Sequence, residues 1–262
     1  MISSTHNPKI QWVRALQARA SERWEAGAFI VEGVRLAEEA LQASWEPLWV
    51  LYTQEISPRG KEIVEEYIRR HYPAEEVTSQ VMKYAAETDT PQGILIVLRI
   101  GDRTLPSSPD FVLILDGLRD PGNVGTILRT AAATGVQAVL MPPGTADVFS
   151  PKVVRASMGA HFRLPIQSCS WEEIRHYLQD IFEWRLKITI ADSARGVVYT
   201  QADFRNPLAL IVGGEAEGVG QEARQIVDEY VHIPMLGGVE SLNAAVAAGL
   251  IMFEVVRQRR GN

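Results

Sequence analysis

The sequence predicts an α/β protein in two parts, each a sheet covered by helices on both faces. Short runs of Val, Ile and Leu, such as residues 112–115, alternate along the 262 residues with segments of helical period. A stretch rich in Pro, Ser and Gly over 101–110 separates two strongly apolar runs. The hydrophobic fraction of 46% is enough to fill two cores. The expected division is a domain over 1–100, a linker over 101–110 and a second domain over 111–262.

Residues 1–24 read as one helix with Trp12, Val13 and Leu16 on its apolar side. FIVEGVRLAEEAL, 29–41, reads as a strand, a turn at Gly33 and a helix. A strand over 47–53, a helix over 60–71, a short strand near Val77, a helix over 81–86 and a strand over 93–100 complete the first part. In the second, FVLILD has the look of a buried parallel strand, followed by a helix from about Val124 that stops at Gly135. Then come a strand over 136–141, a helix over 151–160 with Pro151 in its first turn, a strand in FRLPI and a helix over 171–182. Strands over 186–191, 208–214 and 231–235 finish the sheet. The last helix, 242–259, is apolar nearly all round, with Leu242, Val246, Leu250 and Phe253 on one side and Ala245, Ala248, Met252 and Val255 on another. Such a helix needs two covering surfaces, and a second subunit supplies one in a homodimer.

A formal net charge of −6 argues against a general nucleic-acid coat, although the opening residues Lys9, Arg14, Arg19 and Arg23 form a local basic run. The single cysteine, Cys169, excludes an internal disulfide and is expected as a small apolar residue at a strand end. No metal-ligand spacing, apolar leader or membrane-length run is present, so no metal, no membrane and a cytoplasmic location are expected.

Three strand ends carry unusual polar chemistry. DGLRDPGNVG offers Asp116, Asp120 and Asn123, with Arg129 two helical turns on. IVGGEAEGVG surrounds Glu215 and Glu217 with glycines, which let backbone approach a ligand closely. IPMLGGVESLNAA places Ser241 and Asn243 at the start of the last helix. Each has a plainer reading: Asn123 and Ser241 as helix caps, Glu215 and Arg129 as solvated charges, Asp116 and Asp120 as turn residues. Three such accidents at strand ends are less probable than one site. A dinucleotide fingerprint, a GxxxxGK[ST] phosphate loop and a GxSxG elbow are all absent, which counts against a nicotinamide oxidoreductase, a nucleotide triphosphatase and an acyl transferase.

Together, LDGLRDPGNVGTILRTAAATG, ALIVGGEAEGVG and HIPMLGGVESLNAAVAAGL resemble the three motifs of SpoU-type RNA ribose 2′-O-methyltransferases of the SPOUT class, and RASMGAHFRLPI fits between them. The segment from FIVEGVRLAEEAL to TPQGILIVL is similar to their N-terminal α/β/α substrate-binding domain, which shares the fold of kink-turn-binding ribosomal proteins. The resemblance implies a parallel sheet closed by a trefoil knot, S-adenosylmethionine as methyl donor and a homodimer. It implies large-subunit ribosomal RNA as substrate, with transfer RNA, or an inactive RNA-binding relative, as the alternatives.

Carried over by motif, Asn123 and Arg129 fall on the functional pair of the first, Glu215 on the acidic position of the second, and Ser241 and Asn243 on the polar pair of the third. Gly213, Gly214, Glu215, Ile233, Met235, Leu242 and Asn243 are implied as the cofactor's contacts. Ala245 and Ala216 depart from the pattern, standing where serine and glycine are frequent. A guanidinium keeps its proton in nearly all settings, so Arg129 reads first as a cation facing the developing alkoxide and second as a general base. Lys9, Arg14, Arg19 and Arg23, with Lys152, Arg155 and Arg163, are expected to touch RNA electrostatically.

Overall fold

The computed structural model describes residues 1–101, 104–180, 186–215 and 217–260. Parts of the expected linker, the end of the helix expected over 171–182, and Ala216 lie outside them. In chain order the first elements are α1 (Pro8–Ala18), α2 (Ala20–Ala26), β1 (Ala28–Glu32), α3 (Val34–Gln42), β2 (Pro47–Tyr52), α4 (Pro58–Arg69), β3 (Ala74–Glu76), α5 (Ser79–Ala85) and β4 (Ile94–Arg99). Then follow β5 (Phe111–Asp116), α6 (Pro121–Thr134), β6 (Ala138–Met141), α7 (Pro151–Ser157), β7 (Ile166–Ser168), α8 (Trp171–Asp180), β8 (Lys187–Asp192) and β9 (Val197–Val198). The chain ends with β10 (Leu208–Gly213), α9 (Gln221–Arg224), β11 (Glu229–His232) and α10 (Ala244–Arg259).

These elements form two compact units, Met1–Asp102 with Asp147–Phe162, and Arg103–Ala146 with Arg163–Asn262. The first holds a mixed sheet in the order β1-β4-β2-β3. Side chains alternate across it: Ile30, Leu51 and Leu95 meet Ile10, Val13 and Leu16 of α1 and Met82 of α5 on one face. On the other face α3 packs on α4, where the Tyr67 hydroxyl donates to the Ala37 carbonyl at 3.0 Å. The helix expected over 1–24 is two helices, because the chain is extended at Arg19 (φ −125°, ψ 127°).

The division differs from the expected one in a single piece, 147–162, which stands with the first unit. Aromatic packing accounts for it: Phe149 lies 4.8 Å from Phe29 and 5.5 Å from Trp24, and Phe162 lies 5.3 Å from Trp45. Arg23, 4% exposed, pairs with Asp147 at 2.6 Å and donates to the Leu16 and Gln17 carbonyls. His161 is buried there too. Its Nε2 donates to the Val148 carbonyl and its Nδ1 faces the Ser157 hydroxyl, both at 2.7 Å, and burial pushes the imidazole down to about 4.

The second unit is a seven-stranded sheet in the order β7-β6-β5-β10-β8-β11-β9, every neighbouring pair parallel. Val112, Ile114, Ala209 and Ile211 point at Ile174 and Leu178 of α8 and Ala223 of α9. On the opposite face α10 packs against α6 and β10, burying Ala248, Met252 and Val255. Burial on both faces is what the unbroken apolar strands require. Cys169 follows β7 half-buried, and burial raises its thiol to about 11.

Candidate functional site

β5 leads to β6 and β7 on one side, while its other neighbour, β10, adjoins β8. Strand order reverses there, and the carboxyl ends of β5 and β10 border the crevice where an open α/β sheet holds ligands. Asp116 closes β5: its Oδ2 accepts from Gly220 N–H at 2.6 Å and its carbonyl accepts from Gly214 N–H at 3.0 Å. A Cβ at Gly214 would stand 2.5 Å from the Gly117 carbonyl oxygen, so glycine there lets the first and second loops touch. Burial raises the Asp116 carboxyl above its usual range, against the opposing N–H of Gly220.

α6 starts at Pro121, ahead of the expected Val124, because proline fits the first helical position and Asp120 caps it, its Oδ1 accepting from Asn123 N–H at 2.8 Å. Asp120 therefore does the capping expected of Asn123, and the Asn123 amide is left to donate to Glu215 Oε1. The third loop behaves alike. Asn243, not Ser241, caps α10, its Oδ1 accepting from Ala245 N–H at 2.9 Å and Val246 N–H at 3.3 Å. That fixes the amide's orientation, and Nδ2 donates to Asn123 Oδ1 at 2.9 Å and to Glu215 Oε1 at 3.2 Å. Asn123, Glu215 and Asn243, one from each loop, form a closed hydrogen-bonded triangle.

Arg129 and Ser241 stand outside it. Arg129 is on the exposed side of α6, about 9 Å of helical rise beyond Asn123. Ser241 is exposed, and neither side chain has a hydrogen bond among the described residues. Of the expected cofactor contacts, Gly213 and Gly214 end β10, Glu215 and Asn243 belong to the triangle, and Ile233, Met235 and Leu242 are half-buried on the segment after β11. No peptide group of 233–242 bonds another backbone group among the described residues. Open peptide donors and acceptors, flanked by apolar side chains and a glycine turn, suit an adenosine.

The basic set fares unevenly. Lys9 pairs with Glu75 at 3.0 Å and Arg19 with Glu22 at 2.7 Å on the surface, while half-buried Arg14 donates to the Ala86 carbonyl at 3.2 Å. Arg23 is a correction: it is buried, and its donors are taken by Asp147 and two carbonyls. Lys152 and Arg155 belong to the first unit, on α7, with Arg155 half-buried, and exposed Arg163 belongs to the second. Sequence reasoning missed a cleft of about 620 Å³ against the triangle, lined by Asp116, Asn123, Trp171, Glu215 and Glu222 among others. Trp171 and Glu222 carried no signal, since neither lies in a motif.

A parallel α/β sheet whose polar loops meet at the order reversal defines a ligand-binding α/β protein. The family model described as SpoU rRNA methylase matches residues 110–253, one for an MRM3-like substrate binding domain matches 7–96, and the chain belongs to the SpoU rRNA methylase family. It is 32% identical to the 23S rRNA (guanosine(2553)-2′-O)-methyltransferase RlmP of Bacillus subtilis, over 97% of this chain and 98% of that one. It is 31% identical to the 23S rRNA (uridine(2479)-2′-O)-methyltransferase of Streptomyces viridochromogenes, over 98% and 92%. The crystal structure of the SpoU methyltransferase AviRb from Streptomyces viridochromogenes, in complex with S-adenosylmethionine, superposes with a TM-score of 0.89 at 29% identity, covering 98% of this chain and 100% of that one. The chain is an RNA methyltransferase that uses S-adenosylmethionine.

Proposed function

We propose that this protein methylates a ribose 2′-hydroxyl of 23S ribosomal RNA, in the cytoplasm and as a homodimer. The triangle of Asn123, Glu215 and Asn243 carries the reading, because it brings one residue of each motif to one point. S-adenosylmethionine, when bound, supplies an electrophilic methyl group. Gly213, Gly214 and the segment 233–242, passing through a trefoil knot, would hold it, with Ile233, Met235 and Leu242 around the adenosine. Glu215, accepting from two asparagines, keeps the loops in register and offers its second oxygen to a sugar hydroxyl. Ser241, two residues before Asn243, would add a further polar contact for the nucleotide.

Arg129 supplies the cation. Its guanidinium stabilises the oxygen that loses its proton during transfer. It lies beside the groove of Thr126, Thr130, Val246, Gly249, Leu250 and Phe253. A second subunit seated in that groove lies opposite Arg129 and completes the site. Lys9, Arg14, Arg19, Lys152, Arg155 and Arg163 contribute salt-sensitive attraction for RNA, and the domain over 1–100 grips the substrate. The reading is tested by mapping 2′-O-methyl groups on total RNA from cells with and without the gene. One 23S position losing its mark supports it, and loss confined to transfer RNA overturns the ribosomal assignment.

A further inference from the structure

The 620 Å³ cleft is of the size that takes a small organic group, and one end of it is the Asn123–Glu215 pair. A nucleotide whose ribose lies at the triangle extends its base into this space. Charge at the mouth selects against phosphate: Asp120, Glu217 and Glu222 face one guanidinium, Arg119, which is already engaged 3.5 Å from both Glu217 oxygens. A neutral base has no such penalty. Trp171, half-buried at the start of α8, presents an aromatic surface of the kind on which unstacked bases rest.

Most acceptors around the cleft are taken. Asp116 holds Gly220 N–H, Asp120 holds Asn123 N–H, and Glu215 holds two asparagine amides. Glu222 has no hydrogen-bond partner among the described residues. Its carboxylate lines the cleft. A free carboxylate matches the adjacent N1–H and N2–H donors of guanine. Uracil offers a single N3–H flanked by two carbonyls, and adenine or cytosine offers a single amino group.

We propose that this cleft receives the base of the target nucleotide, with Trp171 as its stacking surface and Glu222 as the acceptor that selects guanine. The inference rests on the ribose-methyltransferase reading, and relatives that act on guanosine and on uridine show that family membership does not set the base.

The full chain is incubated with a 23S rRNA transcript, with 50S particles from cells lacking the gene, and with methyl-labelled S-adenosylmethionine, and the RNA is digested to nucleosides. Label in 2′-O-methylguanosine is expected. Label in another 2′-O-methylnucleoside overturns the guanine assignment and leaves ribose methylation standing, whereas no ribose label in either substrate overturns both. W171A is expected to lower kcat/KM for RNA about ten- to a hundredfold with cofactor affinity unchanged, and W171F to recover most of it. E222Q, which keeps the volume, is expected to lose about tenfold. Wild-type rates in W171F and E222Q together with 2′-O-methylguanosine absent from the products, or wild-type rates in both W171A and E222Q, overturn the cleft as the base's seat.

Discussion

Asn243 serves two purposes through its two side-chain atoms: Oδ1 caps α10 and Nδ2 ties the three loops together. The purposes are separable. Asn243→Ala removes both, and should cost about 1 kcal/mol of stability in urea unfolding together with methyl transfer. Asn243→Asp keeps an acceptor at the helix start but sets a carboxylate against Glu215, so stability is expected near wild type while label incorporation collapses. The motif residues were legible in the sequence because polar groups among glycines recur at three strand ends, in the order and spacing of the family that the chain resembles. Which residue caps α6 was not, since Asp120 and Asn123 are both good caps and only the Pro121 start decides between them. His161 was invisible, as a single histidine in an apolar stretch reads the same buried or exposed. Burial lowers its pKa from the ordinary 6.5 to about 4 on folding, so the folded state binds fewer protons. The stability this confers is complete above pH 6.5 and is lost as pH falls through the window to about 4, amounting to roughly 3 kcal/mol. Urea midpoints at pH 7 and pH 4.5 should diverge less in His161→Asn than in the wild type.

At the scale of elements, the long central strands were read nearly to the residue, but the strand expected in FRLPI falls at β7 (Ile166–Ser168), the one expected over 231–235 falls at β11 (Glu229–His232), and the short β9 was not expected. β5, β10 and β4 are unbroken apolar runs, and nothing but a two-sided burial explains such a run. α1 and α2 ran together because the break at Arg19 has no Gly or Pro to announce it. α10 was read correctly as a helix without a polar face. One side of it is buried on α6 and β10, and the other leaves Val246, Leu250 and Phe253 exposed, the last at 55%. An apolar row of this kind on a well-formed helix is expected to be covered by a second copy. Phe253→Glu places a charge in that row without touching the buried side. Light scattering after size exclusion should show the variant at monomer mass with unchanged far-UV circular dichroism, and a wild type already monomeric at micromolar concentration would defeat the dimer.

For the whole molecule, a linear reading assigns each residue to the domain of its sequence neighbours, whereas contacts in space divide the chain differently at one piece. Residues 147–162 lie within the stretch that carries the methyltransferase motifs, yet they complete the core of the first unit. Phe149, Phe162 and His161 look like any other apolar segment in sequence, and the partners that claim them, Trp24, Phe29 and Trp45, are over a hundred residues away. Arg23 was misjudged for the same reason, its partner Asp147 being equally remote. The consequence is measurable in the intact chain. Phe149→Ala removes a ring packed against Phe29, Trp24 and His161, and should cost roughly 3–5 kcal/mol. If 147–162 belongs energetically to the first unit, the loss falls on local openings of that unit. Hydrogen exchange should then speed up in β1 and α1 of Phe149→Ala, while β5 and β10 exchange as in the wild type. Faster exchange in β5 and β10 with β1 unchanged would instead assign the segment to the second unit, as the linear reading had it.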